Sequence, residues 1–379
     1  MIPNKNLKQY ALKDTAHYKI HGRTNETREA LPLFYSGSGI EVNVTGSELW
    51  IDIDVDFDTH EPWVWTDLNG AFMSRQMLLP GSYSLCLFRG MNPDATKNIR
   101  FFRELQAMSE DNACRLLIIG FRSDGAFLPV KDRPFKLEFI GDSITSGEGT
   151  YGAREDTDWL SMYMGMSRNY ARIVSDELNA EYRVISQCGW GVLSSWDNDP
   201  RHNLPSCYEK ICGLLTGETN DQLGAGKLYN FQSWIPDAII VNLGTNDASA
   251  FEQHEWKDPV TGQAFKQHRE PDGTYRPEDL MRFKQAVISF LSMLRRNNPT
   301  SHIVWVYGML GYDLTFAITD AMNAYQEAAG DHNIAFLQLP NTTDMTIGSH
   351  AHPGEKSHIR AAQVIIEYLA PILAEHRAP

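Results

Sequence analysis

Residues 138–149 read "EFIGDSITSGEG". An apolar run, "FKLEFIG" (135–141), ends in Gly-Asp-Ser and turns polar and glycine-rich. A serine at the end of a buried strand, among residues that permit sharp turns, has two readings. One is a plain loop. The other is a nucleophile presented at the rim of a sheet. The chain on either side decides between them.

Downstream, strand-like and helix-like runs alternate. "RNYARIVSDELNA" (168–180) places Tyr170, Ile173, Val174 and Leu178 on one helical face. "YRVIS" (182–186) reads as a strand. "DAIIVNLG" (237–244) is nearly all apolar, as a strand covered on both faces requires. "PEDLMRFKQAVISFLSMLRR" (277–296) opens with proline and acidic residues, a helix start. "HIVWVYGML" (302–310), "TFAITDAMNAYQEAA" (315–329), "IAFLQLP" (334–340) and "EKSHIRAAQVIIEYLAPILAEH" (355–376) continue the alternation. The pattern predicts a doubly wound α/β domain with a five-stranded parallel sheet.

Upstream, the runs alternate with period two: "GIEVNVTG" (39–46), "LWIDIDVDF" (49–57), "YSLCLFRG" (83–90) and "RLLIIGFRSDG" (115–125). "NIRFFRELQAMS" (98–109) fits either a strand pair or a short helix. Strands at this spacing predict an antiparallel, jelly-roll-like β-sandwich. "VKDRPFK" (130–136) is the expected junction, giving a sandwich over 1–130 and an α/β domain over 131–379.

The 379 residues carry a formal net charge of −14, which disfavours nucleic acid and anionic membrane as partners. Five cysteines without a CxxC pair suggest neither a zinc site nor a disulfide framework. The N-terminal "MIPNKNLKQYALKD" has no apolar core of a secretory leader, and no run reaches the ~18 apolar residues of a membrane span. A cytoplasmic location with reduced thiols is therefore expected. The Asn-x-Thr matches at Asn25, Asn43 and Asn341 then carry no meaning.

In a doubly wound sheet, ligands bind beyond the carboxyl ends of the strands. There the sequence places Ser143, then Gly189 and Gly191 in "SQCGWGVLSS", then Asn246 in "NLGTNDAS". His350 and His352 in "GSHAHPGEK" precede the last helix. Serine, histidine, glycine N–H groups and an asparagine amide are the parts for acyl transfer: nucleophile, base and oxyanion donors. The Gly-x-Ser-x-Gly elbow of ordinary α/β-hydrolases is absent. Asp142 is expected to cap a turn and Asp247 to be structural. His350 should line the loop, and His358 should pack or sit at the surface. "DFDTHEPWVWTD" (56–67) matches no ligand spacing and reads as a solvated acidic loop.

"GDSIT", "GTND" and "HPG", in this order, resemble blocks I, III and V of the SGNH (GDSL-type) hydrolase superfamily. A sandwich before such a domain, with "IHGRT" (20–24) and "SGSGIEVNVTG" (36–46), is similar to carbohydrate esterase family 2. The resemblance implies Ser143 as nucleophile and His352 as base. It implies oxyanion donors from the Ser143 N–H, the Asn246 amide and a glycine N–H, for which spacing favours Gly191. It implies an O-acetylesterase for plant polysaccharides or their oligosaccharides, often at O-6, with no metal or cofactor. One departure stands out: the superfamily's usual Asp three residues before the histidine is Ser349 here. A Ser–His dyad oriented by a main-chain carbonyl is expected instead, with Asp344 as the competing acid. Trp190 is expected to line the substrate pocket, and Trp63, Trp65 and Trp196 are unranked alternatives. The expected substrates are acetylated xylo- or manno-oligosaccharides. The competing readings are an esterase for other short-chain esters, or a sugar-binding protein with a decayed site.

Overall fold

The computed structural model describes residues 3–25 and 29–375. The first two residues of the N-terminal stretch, part of the Asn25 acceptor match and His376 of the last helical run lie outside the described residues. The chain forms two compact units. The first comprises Met1–Arg133, Leu160–Ser167 and Lys210–Tyr229; the second comprises Pro134–Trp159, Arg168–Glu209 and Asn230–Pro379.

The first unit is built on two antiparallel sheets. One holds Lys8–Ala11, Arg115–Ser123, Glu48–Asp56 and Gly81–Arg89 in that order, with Leu31–Pro32 beside Arg115–Ser123. The other holds Phe127–Leu128, Gly39–Val44, Lys97–Arg103, Trp63–Leu68 and Ala71–Met77, with Lys19–His21 beside Gly39–Val44. Alternate residues of the strands point inward, so Ile40, Val42, Val44, Ile51, Ile53, Val55, Ile99 and Phe101 share one buried core. The undecided run "NIRFFRELQAMS" is a strand to Arg103 and then a loop. Two later segments bind this unit through buried polar groups. Glu104 accepts the Ser167 N–H at 2.8 Å, and the Tyr35 hydroxyl bonds the Cys212 carbonyl. The sandwich unit is therefore not one continuous stretch of chain. In the acidic loop, Asp111 accepts the N–H groups of Asp58, Thr59 and His60 at 2.8–3.1 Å and fixes the turn.

The second unit is a five-stranded parallel sheet. Its strands are β1 (Phe135–Gly141), β2 (Ala180–Ser186), β3 (Ala238–Asn242), β4 (His302–Gly308) and β5 (Ile334–Leu339), in the order β2-β1-β3-β4-β5. Helices α1 (Ser143–Ser146), α2 (Tyr170–Glu177), α3 (Thr245–Ala250), α4 (Pro277–Asn297), α5 (Thr315–Ala329) and α6 (Glu355–Glu375) connect or follow them. Every residue of β3 and β4 is buried, as their unbroken apolar runs require. With β1 between β2 and β3, the strand order reverses at β1, the position where doubly wound sheets open a crevice.

The sandwich contains a buried ion-pair network that joins the "IHGRT" stretch to the strand after it. His21 Nε2 lies 3.0 Å from Glu41 Oε2, Asn98 Nδ2 donates to Glu41 Oε1 at 2.8 Å, and Arg100 Nε lies 3.6 Å away. Burial alone would raise the Glu41 carboxyl, but His21, Arg100 and Asn98 outweigh it and hold the group at about 2. A carboxyl depressed in the folded state stabilises above its unfolded pKa of about 4.3 and loses that contribution as pH falls towards 2. Glu41→Gln should therefore cost on the order of 3 kcal/mol at pH 7 and progressively less below pH ~4. Thermal melts of both proteins across that range test this; a pH-independent difference would refute the charge assignment.

Candidate active site

Each residue of "GDSIT" has a local cause. Gly141 ends β1 where a Cβ would lie 2.0 Å from Thr145 Oγ1 and 2.8 Å from the Asn242 carbonyl. Asp142 caps α1, its Oδ1 accepting the Ile144 N–H at 3.0 Å, as expected of it. Ser143 is the first helical residue, so its own N–H has no intrahelical acceptor. Thr145 and Ser146 anchor the turn to Tyr170 (2.7 Å) and Ser186 (2.9 Å).

The turn closes on itself. The Gly147 N–H bonds the Ile144 carbonyl at 3.2 Å, the Glu148 N–H bonds the Ser143 carbonyl at 2.9 Å, and Gly147 adopts φ 88°. This Schellman arrangement needs a glycine at the left-handed position. The next left-handed residue, Gly149, passes so close to the histidine loop that a Cβ would lie 2.7 Å from His352 Cβ.

That loop brings His352 to Ser143, with Nε2 at 2.9 Å from Oγ. His352 Nδ1 lies 2.7 Å from the His350 carbonyl, so Nδ1–H donates to that carbonyl and Nε2 offers its lone pair to the serine. Ser349 is fully buried, and its Oγ has no hydrogen-bond partner among the described residues. Asp344 stays exposed and pairs with Arg154 at 3.3 Å, so it does not fill the acid position. His350 lines the loop. His358 is buried against Tyr170, 6.0 Å between ring centroids, and burial presses its imidazole down to about 3.

Glu148 is the residue the sequence analysis passed over. Its carboxylate is buried, with Oε1 2.6 Å from His350 Nδ1 and 3.4 Å from His352 Nδ1. Among the described residues, Glu148, His350 and His352 are also the group whose ligand atoms lie within 4.8 Å of one another, the minimum grouping for a metal ion. The signal was present in "SGEG": an acidic residue between two glycines, five after the serine.

Asn246 lies at the start of α3, beyond β3. Its Nδ2 donates to Asp142 Oδ2 at 3.1 Å and to the Trp190 carbonyl at 3.2 Å, both at the outer end of the ordinary range. Asp247 is structural: its carboxylate accepts the N–H groups of Val192 (2.9 Å) and Leu193 (2.8 Å) and pins the loop after β2. Gly191 is required there because a Cβ would lie 2.4 Å from Asp247 Oδ2. Its N–H, however, donates to the Ser194 carbonyl at 2.9 Å. That bond already satisfies the Gly191 N–H in this structure. The Gly189 N–H has no acceptor among the described residues and occupies the partly exposed part of the same loop.

Trp190 is 6% exposed and stacks on His202, centroids 5.0 Å apart, so much of its indole is covered. Trp196 is 48% exposed and lies against Gly189, whose added Cβ would sit 3.0 Å from the indole. Trp65 is fully buried edge-on to Phe102, with ring centroids 5.1 Å apart, and Trp63 lies under the Arg75 guanidinium at 4.2 Å.

Comparison with known proteins agrees with this picture. The chain aligns over 97% of its length with 99% of the acetyl xylan esterase Est2A from the rumen bacterium Butyrivibrio proteoclasticus, at 53% identity and a TM-score of 0.95. A family two carbohydrate esterase from Clostridium thermocellum, solved with cellohexaose, shares the fold at 21% identity and a TM-score of 0.77, covering 94% of this chain and 99% of that one. Cellulase/esterase CelE of Acetivibrio thermocellus is 24% identical over 86% of this chain, which spans 35% of that protein's length. The GDSL-like lipase/acylhydrolase family model matches residues 139–359. More than half of the chain, including the Ser143, Asn246 and His352 loops, is thus covered, and the chain belongs to the GDSL-like lipase/acylhydrolase family.

Proposed function

We propose that this protein is a serine carbohydrate O-acetylesterase. It would remove acetyl groups from plant-derived xylo- or manno-oligosaccharides through an acetyl-enzyme, with a preference for O-6 where the sugar is a hexose. The observation that carries this reading is the 2.9 Å contact between Ser143 Oγ and His352 Nε2, beside N–H groups of Ser143 and Gly189 that find no acceptor among the described residues. The 53% identity to an acetyl xylan esterase over nearly the whole chain supports it.

In the proposed reaction, Ser143 Oγ attacks the acetyl carbonyl carbon as its proton passes to His352 Nε2. The oxyanion is received by the Ser143 and Gly189 N–H groups and by Asn246 Nδ2, which exchanges its 3.2 Å contact with the Trp190 carbonyl for the new acceptor. The C–O bond to the sugar breaks, and His352 returns the proton to the departing hydroxyl. Water, deprotonated by the same histidine, then attacks the acetyl-enzyme and releases acetate. Trp196, the exposed indole at the rim, offers an apolar face to a sugar ring. A cytoplasmic location, with imported oligosaccharides as substrate, completes the reading. Activity confined to intact polymer would overturn it.

Acetate release from acetylated xylo- and manno-oligosaccharides should be abolished in Ser143→Ala, with a loss of at least ~10³-fold. Asn246→Ala should lose roughly 10²- to 10³-fold in kcat. Retained oligosaccharide binding with no acetate release by wild type would instead mark a sugar-binding protein. Trp196→Ala should raise KM for the oligosaccharide roughly tenfold, the scale of a 1.4 kcal/mol contact, while leaving a small aryl acetate unaffected. Equal effects on both substrates would remove Trp196 from the sugar contact.

A further inference from the structure

Resting on the esterase reading above, we propose that Glu148 is the positioning residue for His352, supplying from the nucleophile's own loop the buried negative charge that the histidine loop lacks. Ser349 stands where the family's acid is expected, and its hydroxyl, fully buried, touches no hydrogen-bond partner among the described residues. The orienting task is then divided between two groups. The His350 carbonyl, 2.7 Å from His352 Nδ1, fixes the ring and its tautomer. Glu148 Oε1, 3.4 Å from the same nitrogen, faces the charge that forms when His352 accepts the serine proton.

Glu148 is placed for this by backbone geometry. Its N–H is tied to the Ser143 carbonyl at 2.9 Å, and left-handed glycines stand on both sides of it. The charge cannot swing away, because the carboxylate is 4% exposed and held by His350 Nδ1 at 2.6 Å. The groups facing it are His350 and His352 from the histidine loop, the Cys188 thiol from the loop after β2, and Asp142 from its own turn. Asp158 adds a further negative charge near His350. Burial would raise the Glu148 carboxyl, but His352, His350 and Cys188 together hold it below the usual carboxylate range. The His350 imidazole is raised, chiefly by its hydrogen bond to Glu148.

The test compares wild type, Glu148→Gln, Glu148→Asp and Ser143→Ala on 4-nitrophenyl acetate and an acetylated xylo-oligosaccharide between pH 5 and 9. Glu148→Gln should lower kcat roughly 10- to 100-fold with KM within twofold of wild type. Removing the negative charge makes protonated His352 less favourable, so the acid limb of kcat/KM should move to lower pH. Glu148→Asp should recover part of both changes. A purely structural role would lower the melting temperature and raise KM while leaving the acid limb in place, and that result overturns the proposal. Histidine NMR titration gives a readout independent of turnover. The His352 ring, assigned with His352→Gln, should titrate at lower pH in Glu148→Gln. An unmoved midpoint overturns the proposal even if wild type is an active esterase. A moved midpoint in a wild type that releases no acetate would uphold the Glu148–His352 coupling and sink the esterase reading alone.

Discussion

The site depends on one backbone hydrogen bond, from the Glu148 N–H to the Ser143 carbonyl. It closes a single helical turn immediately after β1, where an unsupported four-residue helix would be too short to persist. The closure has three effects at once. The Ser143 N–H stays at the open N-terminal end of the turn, available to an oxyanion. The serine hydroxyl projects over the carboxyl end of the sheet. The chain then leaves through two left-handed glycines, and the side chain between them, Glu148, is aimed at the histidine loop. Gly147 and Gly149 are conformational requirements in this stretch, since left-handed backbone is costly for other residues and Gly149 leaves no room for a Cβ.

The histidine loop meets this turn with its own constraint. His350 and Ala351 both adopt positive φ, 50° and 53°, a conformation that non-glycine residues hold only when their surroundings impose it. The bonds that impose it run from His350 N–H to the Asp156 carbonyl (2.7 Å) and from Gly348 N–H to the His352 carbonyl (2.8 Å). The consequence is that the His350 carbonyl turns back onto His352 Nδ1. Strain in two residues thus does the orienting that a side-chain acid does elsewhere. Gly348 allows the two loops to touch, because a Cβ there would fall 1.9 Å from the Gly149 carbonyl.

Much of this was legible in the sequence, for identifiable reasons. The strands of the parallel sheet declare themselves because burial on both faces forces continuous apolar runs, as in "AIIVN" and "HIVWVYG". The sandwich strands show through period-two alternation. Ser143, Asn246 and His352 stand out as candidates because each follows a strand end or precedes the last helix, which are positions set by topology. What stayed hidden depends on contacts between segments distant in sequence. Spacing favours Gly191 as a donor, but only the fold shows its N–H spent on Ser194 and its missing Cβ needed by Asp247. The sequence favours Trp190 over Trp196 for the pocket; His202 stacking on the first and solvent on the second are visible only in the fold. The segments Leu160–Ser167 and Lys210–Tyr229 join the sandwich unit through bonds such as Ser167 to Glu104, which no local pattern announces.

Three buried carboxylates surround the serine, and their environments push them in opposite directions. Asp142 is raised to about 7 and Asp247 to about 6, in both cases chiefly by burial, since no cation among the described residues stands beside either to offset it: backbone N–H groups, the Asn246 amide and neighbouring acids face them. Glu148 is equally buried yet lowered, because two imidazoles stand beside it. A carboxyl raised by burial stabilises the fold fully only below its unfolded pKa, and its contribution is lost as pH rises through the folded value. Ionising Asp142 or Asp247 at neutral pH therefore works against stability, whereas an ionised Glu148 is matched to the histidines. The negative charge at this rim is consequently concentrated on the histidine side of Ser143. In the proposed reaction, that is the side on which positive charge would appear when the serine gives up its proton, and the N–H groups of Ser143 and Gly189 would remain for the negative charge forming on the acyl oxygen.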